Sequence, residues 1–151
     1  MELESYLKEH NVWYRLIDKP ETIHTKDAAL HTGIDLERIT KSLIFLAEGQ
    51  PVLVIIPGNR RVDMTKLREI LKTRDIQLVP FEKAKEYSGY DPGGTPPVNH
   101  KNISRTIIEK TLVEYKTIYG GGGSRNKLIE MKPEDIVRLT DATIANVIEL
   151  S

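Results

Sequence analysis

The chain contains no cysteine. That absence removes disulfide scaffolds, zinc ribbons, iron–sulfur clusters and any cysteine nucleophile, and it is compatible with the cytoplasm. Excess charge is missing as well, because 22 basic residues balance 22 acidic ones and no net field draws in nucleic acid. A local basic patch can still serve an RNA partner. Long apolar runs are absent: the longest, Val52 to Ile56, is far too short to span a bilayer. The opening Met1-Glu2-Leu3-Glu4 is acidic, unlike the basic start of a signal peptide. Familiar catalytic spellings fail too. Gly122-Gly123-Ser124-Arg125-Asn126 lacks the closing glycine of a nucleophile elbow. The glycine-rich stretch from Gly89 to Thr95 has no following phosphate-loop lysine, and no HExxH occurs.

What remains is an ordinary globule. A chain of 151 residues suits a single domain, residues 1–151, and buries roughly 70% of its unfolded surface. Leu3, Tyr6 and Leu7 recur at helical spacing over Glu2–Glu9, and Val12–Ile17 suits a strand. Thr25 is placed to cap a short helix that Gly33 ends. Ser42–Leu46 and Val52–Ile56 read as strands joined by a Glu48-Gly49-Gln50 turn, apolar enough for burial on both faces. Asp63 caps a helix carrying Met64, Leu67, Ile70 and Leu71 on its inner stripe, and Pro80 opens another ending near Tyr87. Further strands fall at Ile76–Val79, Arg105–Ile108, Lys116–Tyr119, Leu128–Met131 and Ile144–Leu150, with a helix opening at Pro133. The order lacks regular βαβα alternation. An α/β or α+β domain follows, with about seven strands in a curved, mixed and mostly antiparallel sheet flanked by short helices.

Three features carry chemistry. Lys41 stands at the mouth of an apolar strand, as either a solvated strand-end charge or a positioned cation. Gly89, Pro92, Gly93, Gly94, Pro96 and Pro97 form a constrained loop, which is either a tight crossover or a rigid set of backbone donors for a ligand. Gly120–Gly123 after a strand makes either an anion-binding nest or a floppy hairpin end. Of the four histidines, His24 and His31 are seven apart with no third ligand nearby, so they read as surface histidines flanking a helix rather than a metal pair. His100 is near enough to the glycine loop to be considered for ligand contact. Backbone donors plus one lysine suit oxyanion or phosphate binding better than nucleophilic catalysis.

The blocks Thr25–Ala29, Ile39–Phe45, Val54–Asp63, Ser88–Pro97 and Ile118–Arg125, in this order, resemble the YbaK and prolyl-tRNA-synthetase-associated editing domain family. The family hydrolyses mischarged aminoacyl-tRNA. The resemblance implies a barrel-like mixed sheet, an active-site lysine at Lys41 and a GxxxP loop at Gly93–Pro97. It implies a freestanding, trans-acting enzyme, since no synthetase catalytic segment is recognisable and the chain opens with its own Met1. On this reading the backbone N–H groups of Gly93 and Gly94, or those of Gly121 to Gly123, supply oxyanion donors beside Lys41. Thr25, Ser42, Thr95, Pro97, Gly121, Gly122, Gly123 and Ser124 bind substrate. Arg60, Arg61, Lys101 and Arg125 contact RNA or remain solvated charges. Cysteine or alanine on proline tRNA is the implied substrate, met at the acceptor end and handed over by a synthetase or elongation factor. Neither cofactor nor metal is implied, nor DNA or membrane as partner, and the expected location is the cytoplasm. Two rivals stand beside this reading: a module that binds tRNA or a synthetase without hydrolysis, and a hydrolase of small acyl esters.

Overall fold

The computed structural model describes residues 2–150. Among these, five α-helices and eight strands form two sheets. The helices are α1 (Leu3–Glu9), α2 (Thr25–Thr32), α3 (Met64–Leu71), α4 (Lys85–Ser88) and α5 (Pro133–Thr140). The strands are β1 (Tyr14–Asp18), β2 (Thr40–Ala47), β3 (Gln50–Pro57), β4 (Ile76–Leu78), β5 (Arg105–Glu109), β6 (Ile118–Gly121), β7 (Lys127–Met131) and β8 (Thr143–Ala145). The small sheet has the order β1-β7-β6 and is wholly antiparallel. The large one has the order β4-β2-β3-β5-β8, antiparallel around β2 and parallel from β3 through β8.

The single, mostly antiparallel sheet of about seven strands expected from the sequence is instead two sheets, one of three strands and wholly antiparallel, one of five strands and mixed, and no barrel closes. Closure requires every strand to find two ladder partners, whereas β1, β4, β6 and β8 have one ladder partner each. A single parallel bridge, Ile39 to Tyr119, joins the two sheets. Their inner faces pack instead as layers: Ile44, Leu53 and Ile55 meet Ile118, Ile129 and Met131, with Leu3 and Leu7 of α1 and Ile136 of α5 sealing the ends. The outer face of the large sheet buries Phe45, Val52, Val54 and Ile56 under Leu67 of α3. A third, smaller cluster of Ala28, Ile39, Tyr119 and Leu128 holds α2 against the bridge between the sheets. With a layer on each face, β3 needs an unbroken apolar run, which the sequence supplies.

Several local expectations hold. Glu48 and Gly49, both at positive φ, turn β2 into β3, the pairing of a type I′ hairpin. The Asp63 side chain accepts from the Lys66 N–H at 3.1 Å and so caps α3, and Gly33 ends α2. Others are corrected. Thr25 is the first helical residue of α2; the cap position belongs to His24, and no side chain caps it. The helix expected from Pro80 is a 3₁₀ turn (Phe81–Lys83) followed by the short α4. The last strand stops at Ala145, after which Ile148 only bridges Val62.

Candidate functional site

The site begins at an edge. β2 pairs with β3 along its whole length, but β4 reaches only Phe45, Leu46 and Ala47. The two-residue hairpin fixes which backbone groups face which neighbour. Odd-numbered residues bond toward β3, as the Gly58 N–H donating to Ile39 O at 2.7 Å illustrates. Even-numbered residues face the other way, where the Val79 N–H donates to Ile44 O at 2.9 Å. Before Ile44 this ladder has ended, and the edge around Ser42 opens into a cavity of about 360 Å³. Alternation along β2 sets Thr40 and Ser42 toward the inner core and Lys41 toward the α3 side, so the cavity wraps the strand's edge and touches all three.

Lys41 is half-buried, and no hydrogen bond or ion pair holds it among the described residues. Burial lowers its pKa from the ordinary lysine value, and the neighbouring Arg61 cation lowers it further. The hydroxyls of Thr40 and Ser42 on either side are buried with no partner. A second lysine, Lys19, is buried against the opposite wall. Its Nζ donates to Thr22 Oγ1 at 2.6 Å and to the Arg125 carbonyl. Burial lowers its pKa, with Glu21 opposing. Lys19, Lys26, Lys41 and His24 all line the cavity, and no aspartate or glutamate does. Such a wall favours an anion or a developing negative charge.

The remaining wall is a clasp between two loops. Gly121 N–H donates to Thr95 O at 3.2 Å and Gly123 N–H to Gly94 O at 2.9 Å. The approach is so close that a Cβ on Gly121 would lie 2.5 Å from Gly94 C and Thr95 O. Gly93 sits at φ +91°, and a Cβ there would meet Ile23 Cα at 2.9 Å. Arg125 Nε donates to Pro92 O at 2.9 Å from outside. Behind the loop, His100 Nε2 meets Pro96 O at 2.7 Å. A carbonyl only accepts, so Nε2 carries the proton and Nδ1 is left as a buried acceptor without a partner. Burial holds the His100 pKa below the usual histidine value, against the raising effect of the Pro96 bond.

This arrangement narrows the donors available to a ligand. The N–H groups of Gly94, Gly121, Gly122 and Gly123 are engaged with Asp91, Thr95, Lys127 and Gly94 carbonyls. Of the two clasp loops, the cavity-lining Gly93 and Thr95 have N–H groups with no hydrogen-bond partner among the described residues, as do Ile23 and His24 in the loop before α2. Of the residues expected from sequence, Lys41, Gly93, Thr25, Ser42, Thr95 and Gly121 line the cavity together. Gly94, Pro97, Gly122, Gly123 and Ser124 lie outside its lining; Gly94, Gly122 and Gly123 bond across or within the clasp, and Pro97 packs on Gly120. The four basic residues diverge. Arg61 is exposed and close enough to act on Lys41. Arg60 donates to the Glu149 carbonyl, Arg125 to Pro92, and exposed Lys101 lies beside Gly89. Sequence reasoning missed Lys19, Lys26 and Phe81 as lining residues. Lys19 reads locally as part of a turn, and its burial depends on a carbonyl 106 positions away. His24 and His31 are both exposed, in keeping with surface histidines. Among the described residues no helix is long and apolar enough to cross a membrane.

Comparison with known proteins matches this architecture. A family model described as the aminoacyl-tRNA editing domain matches residues 19–139. An Enterococcus faecalis protein named "Putative Cys-tRNA(Pro)/Cys-tRNA(Cys) deacylase EbsC" is 26% identical, across 93% of this chain and 88% of its own length. A proline–tRNA ligase from Thermosipho melanesiensis is 29% identical over 80% of this chain, which spans 22% of that ligase. The solved structure of the hypothetical protein APE2540 superposes with a TM-score of 0.89 at 32% identity, covering 97% of this chain and 98% of its own.

Proposed function

The chain belongs to the aminoacyl-tRNA editing domain family, and from that premise we propose that it is a trans-acting deacylase that hydrolyses the ester of mischarged tRNA. Cysteine or alanine on proline tRNA is the substrate we assign, the cysteine part being in line with the name carried by the Enterococcus relative. The observation that carries the reading is Lys41: a half-buried cation, without a side-chain partner among the described residues, on a cavity wall to which those residues contribute no carboxylate.

The ester is already activated, so water suffices as nucleophile. Water oxygen bonds to the ester carbonyl carbon and the carbonyl oxygen becomes an oxyanion. Collapse breaks the bond to the ribose oxygen, which takes up one proton of the attacking water; the other passes to solvent, and the amino acid leaves as a carboxylate. The free N–H groups of Gly93 and Thr95 face this oxyanion in our assignment. Removing one such donor typically costs on the order of 3 kcal/mol. Lys41 acts as a positioned cation on the ester carbonyl or the terminal phosphate. In our assignment, as the family resemblance implies, the vicinal ribose hydroxyl passes the proton, making part of the catalysis the substrate's own. Arg61 and Lys101, both exposed, offer phosphate contacts to the acceptor end, while Arg60 and Arg125 chiefly hold backbone. The small cavity selects by size, and one methylene is worth about 1–3 kcal/mol.

The test is single-turnover deacylation of proline tRNA charged with Ala, Cys, Ser or Pro. Selective loss of one mischarged species with Pro spared supports the reading. Hydrolysis of none above the buffer rate refutes it and leaves a tRNA- or synthetase-binding module.

A further inference from the structure

The chain has two phenylalanines, and they have opposite surroundings. Phe45 is 3% exposed in the core, whereas Phe81 is 50% exposed at the cavity mouth. The 3₁₀ turn Phe81–Lys83 follows β4 directly and presents that ring beside the open edge of β2. Phe81 does not stand alone. The His24 ring lies 6.2 Å from it, centroid to centroid, tilted by 31°. Ile23 adds a third exposed apolar surface and lines the same mouth. Lys26 and Lys41 line the same cavity, exposed Arg61 stands close enough to act on Lys41, and no aspartate or glutamate is among the lining residues.

We infer that this rim is a stacking platform for the terminal nucleobase of the substrate, with Phe81 as the ring on which the base lies. The inference rests on the deacylase reading and adds a place for the part of the substrate that does not react. If the aminoacyl group enters the cavity, its ester oxygen sits at the mouth, and the ribose carries the base only one sugar away. The base therefore meets the rim. A nucleobase has a flat, apolar face and an adjacent phosphate, which complements an exposed aromatic patch bordered by lysines. Stacking reads no hydrogen-bond pattern, so the platform supplies position rather than base identity, and holds the ester against Lys41.

The experiment compares Phe81→Ala and Phe81→Trp with wild type on two substrates of one amino acid. One is an aminoacyl minihelix ending in adenosine; the other is the methyl ester, which has no base. Stacking of one base is worth about 5- to 150-fold. Phe81→Ala is therefore expected to lower the minihelix-to-methyl-ester rate ratio by that factor, and Phe81→Trp to restore it. An equal loss on both substrates, or no change in the ratio, overturns the platform while leaving the deacylase standing. A binding arm separates the two failures. The new tryptophan of Phe81→Trp, read against the Trp13 background of wild type, is titrated with a CCA trinucleotide and with the same molecule lacking its terminal base. Quenching by the first alone supports the platform even if neither ester is hydrolysed; equal response to both overturns it.

Discussion

Replacing Gly121 by alanine probes the clasp that forms the cavity wall. The added Cβ would lie 2.5 Å from Gly94 C and Thr95 O and 2.7 Å from Thr95 N. All three are backbone atoms, so no side chain can rotate away and the two loops must part. Two cross-loop bonds then go, Gly121 N–H to Thr95 O and Gly123 N–H to Gly94 O, at about 1 kcal/mol each. Overpacking adds about 1–3 kcal/mol. The sum, about 3–5 kcal/mol, is a large share of the 5–15 kcal/mol that keeps a domain folded. In urea the midpoint should fall with the slope unchanged, and Tm should drop by about 6–20 °C for a chain of this size. Deacylation measured well below the new Tm should fall too, because Gly93 and Thr95 shift with the loop. A variant within about 1 kcal/mol of wild type would refute the clasp as a rigid wall.

Lys19→Met leaves the Thr22 hydroxyl and the Arg125 carbonyl without their buried donor, and should cost about 1–3 kcal/mol in urea unfolding. His100 carries a pH signature. Its folded pKa is lowered by burial, so the unfolded chain binds the proton first as pH falls. Stability should therefore be fully present above about pH 6.5 and decline below it, by up to about 1.4 kcal/mol per pH unit. His100→Asn should flatten that part of the curve in urea midpoints taken from pH 5 to 7.5. Arg61→Gln removes a cation that disfavours the charged form of Lys41. The Lys41 pKa should rise and the alkaline fall in single-turnover rate should move to higher pH; movement to lower pH would contradict the assignment.

Which parts were legible follows from the range of the interactions. β3 is readable because burial on both faces writes itself into consecutive residues, Val52 to Ile56. The Glu48-Gly49 turn and the Asp63 cap are equally local, since each is settled within four residues. Barrel closure is not local. Whether β1, β4, β6 or β8 finds a second ladder partner depends on where distant strands end, and the short β4 stops after three residues. The same early stop opens the cavity beside Ser42, so the feature that makes the site left no motif. Lys41 was identifiable from the resemblance of its block, but not its lowered pKa, which comes first from its burial in the folded chain and then from the nearby Arg61 cation. The glycines of residues 120–123 read equally as an anion nest or a floppy hairpin end. Their composition is that of a nest, yet Gly121, Gly122 and Gly123 spend their N–H groups on neighbouring carbonyls. Composition shows which backbone can approach closely; only the register shows what it approaches.

The central claim is that Lys41 serves ester hydrolysis as a positioned cation. Its most direct test is the single-turnover rate on the mischarged proline tRNA that wild type hydrolyses fastest, for wild type, Lys41→Ala and Lys41→Arg. The account predicts a loss of about 10²–10³-fold for Lys41→Ala, the scale of one lost oxyanion contact, and a smaller loss for Lys41→Arg, which keeps the charge. A Lys41→Ala protein that is folded and deacylates at the wild-type rate would contradict it.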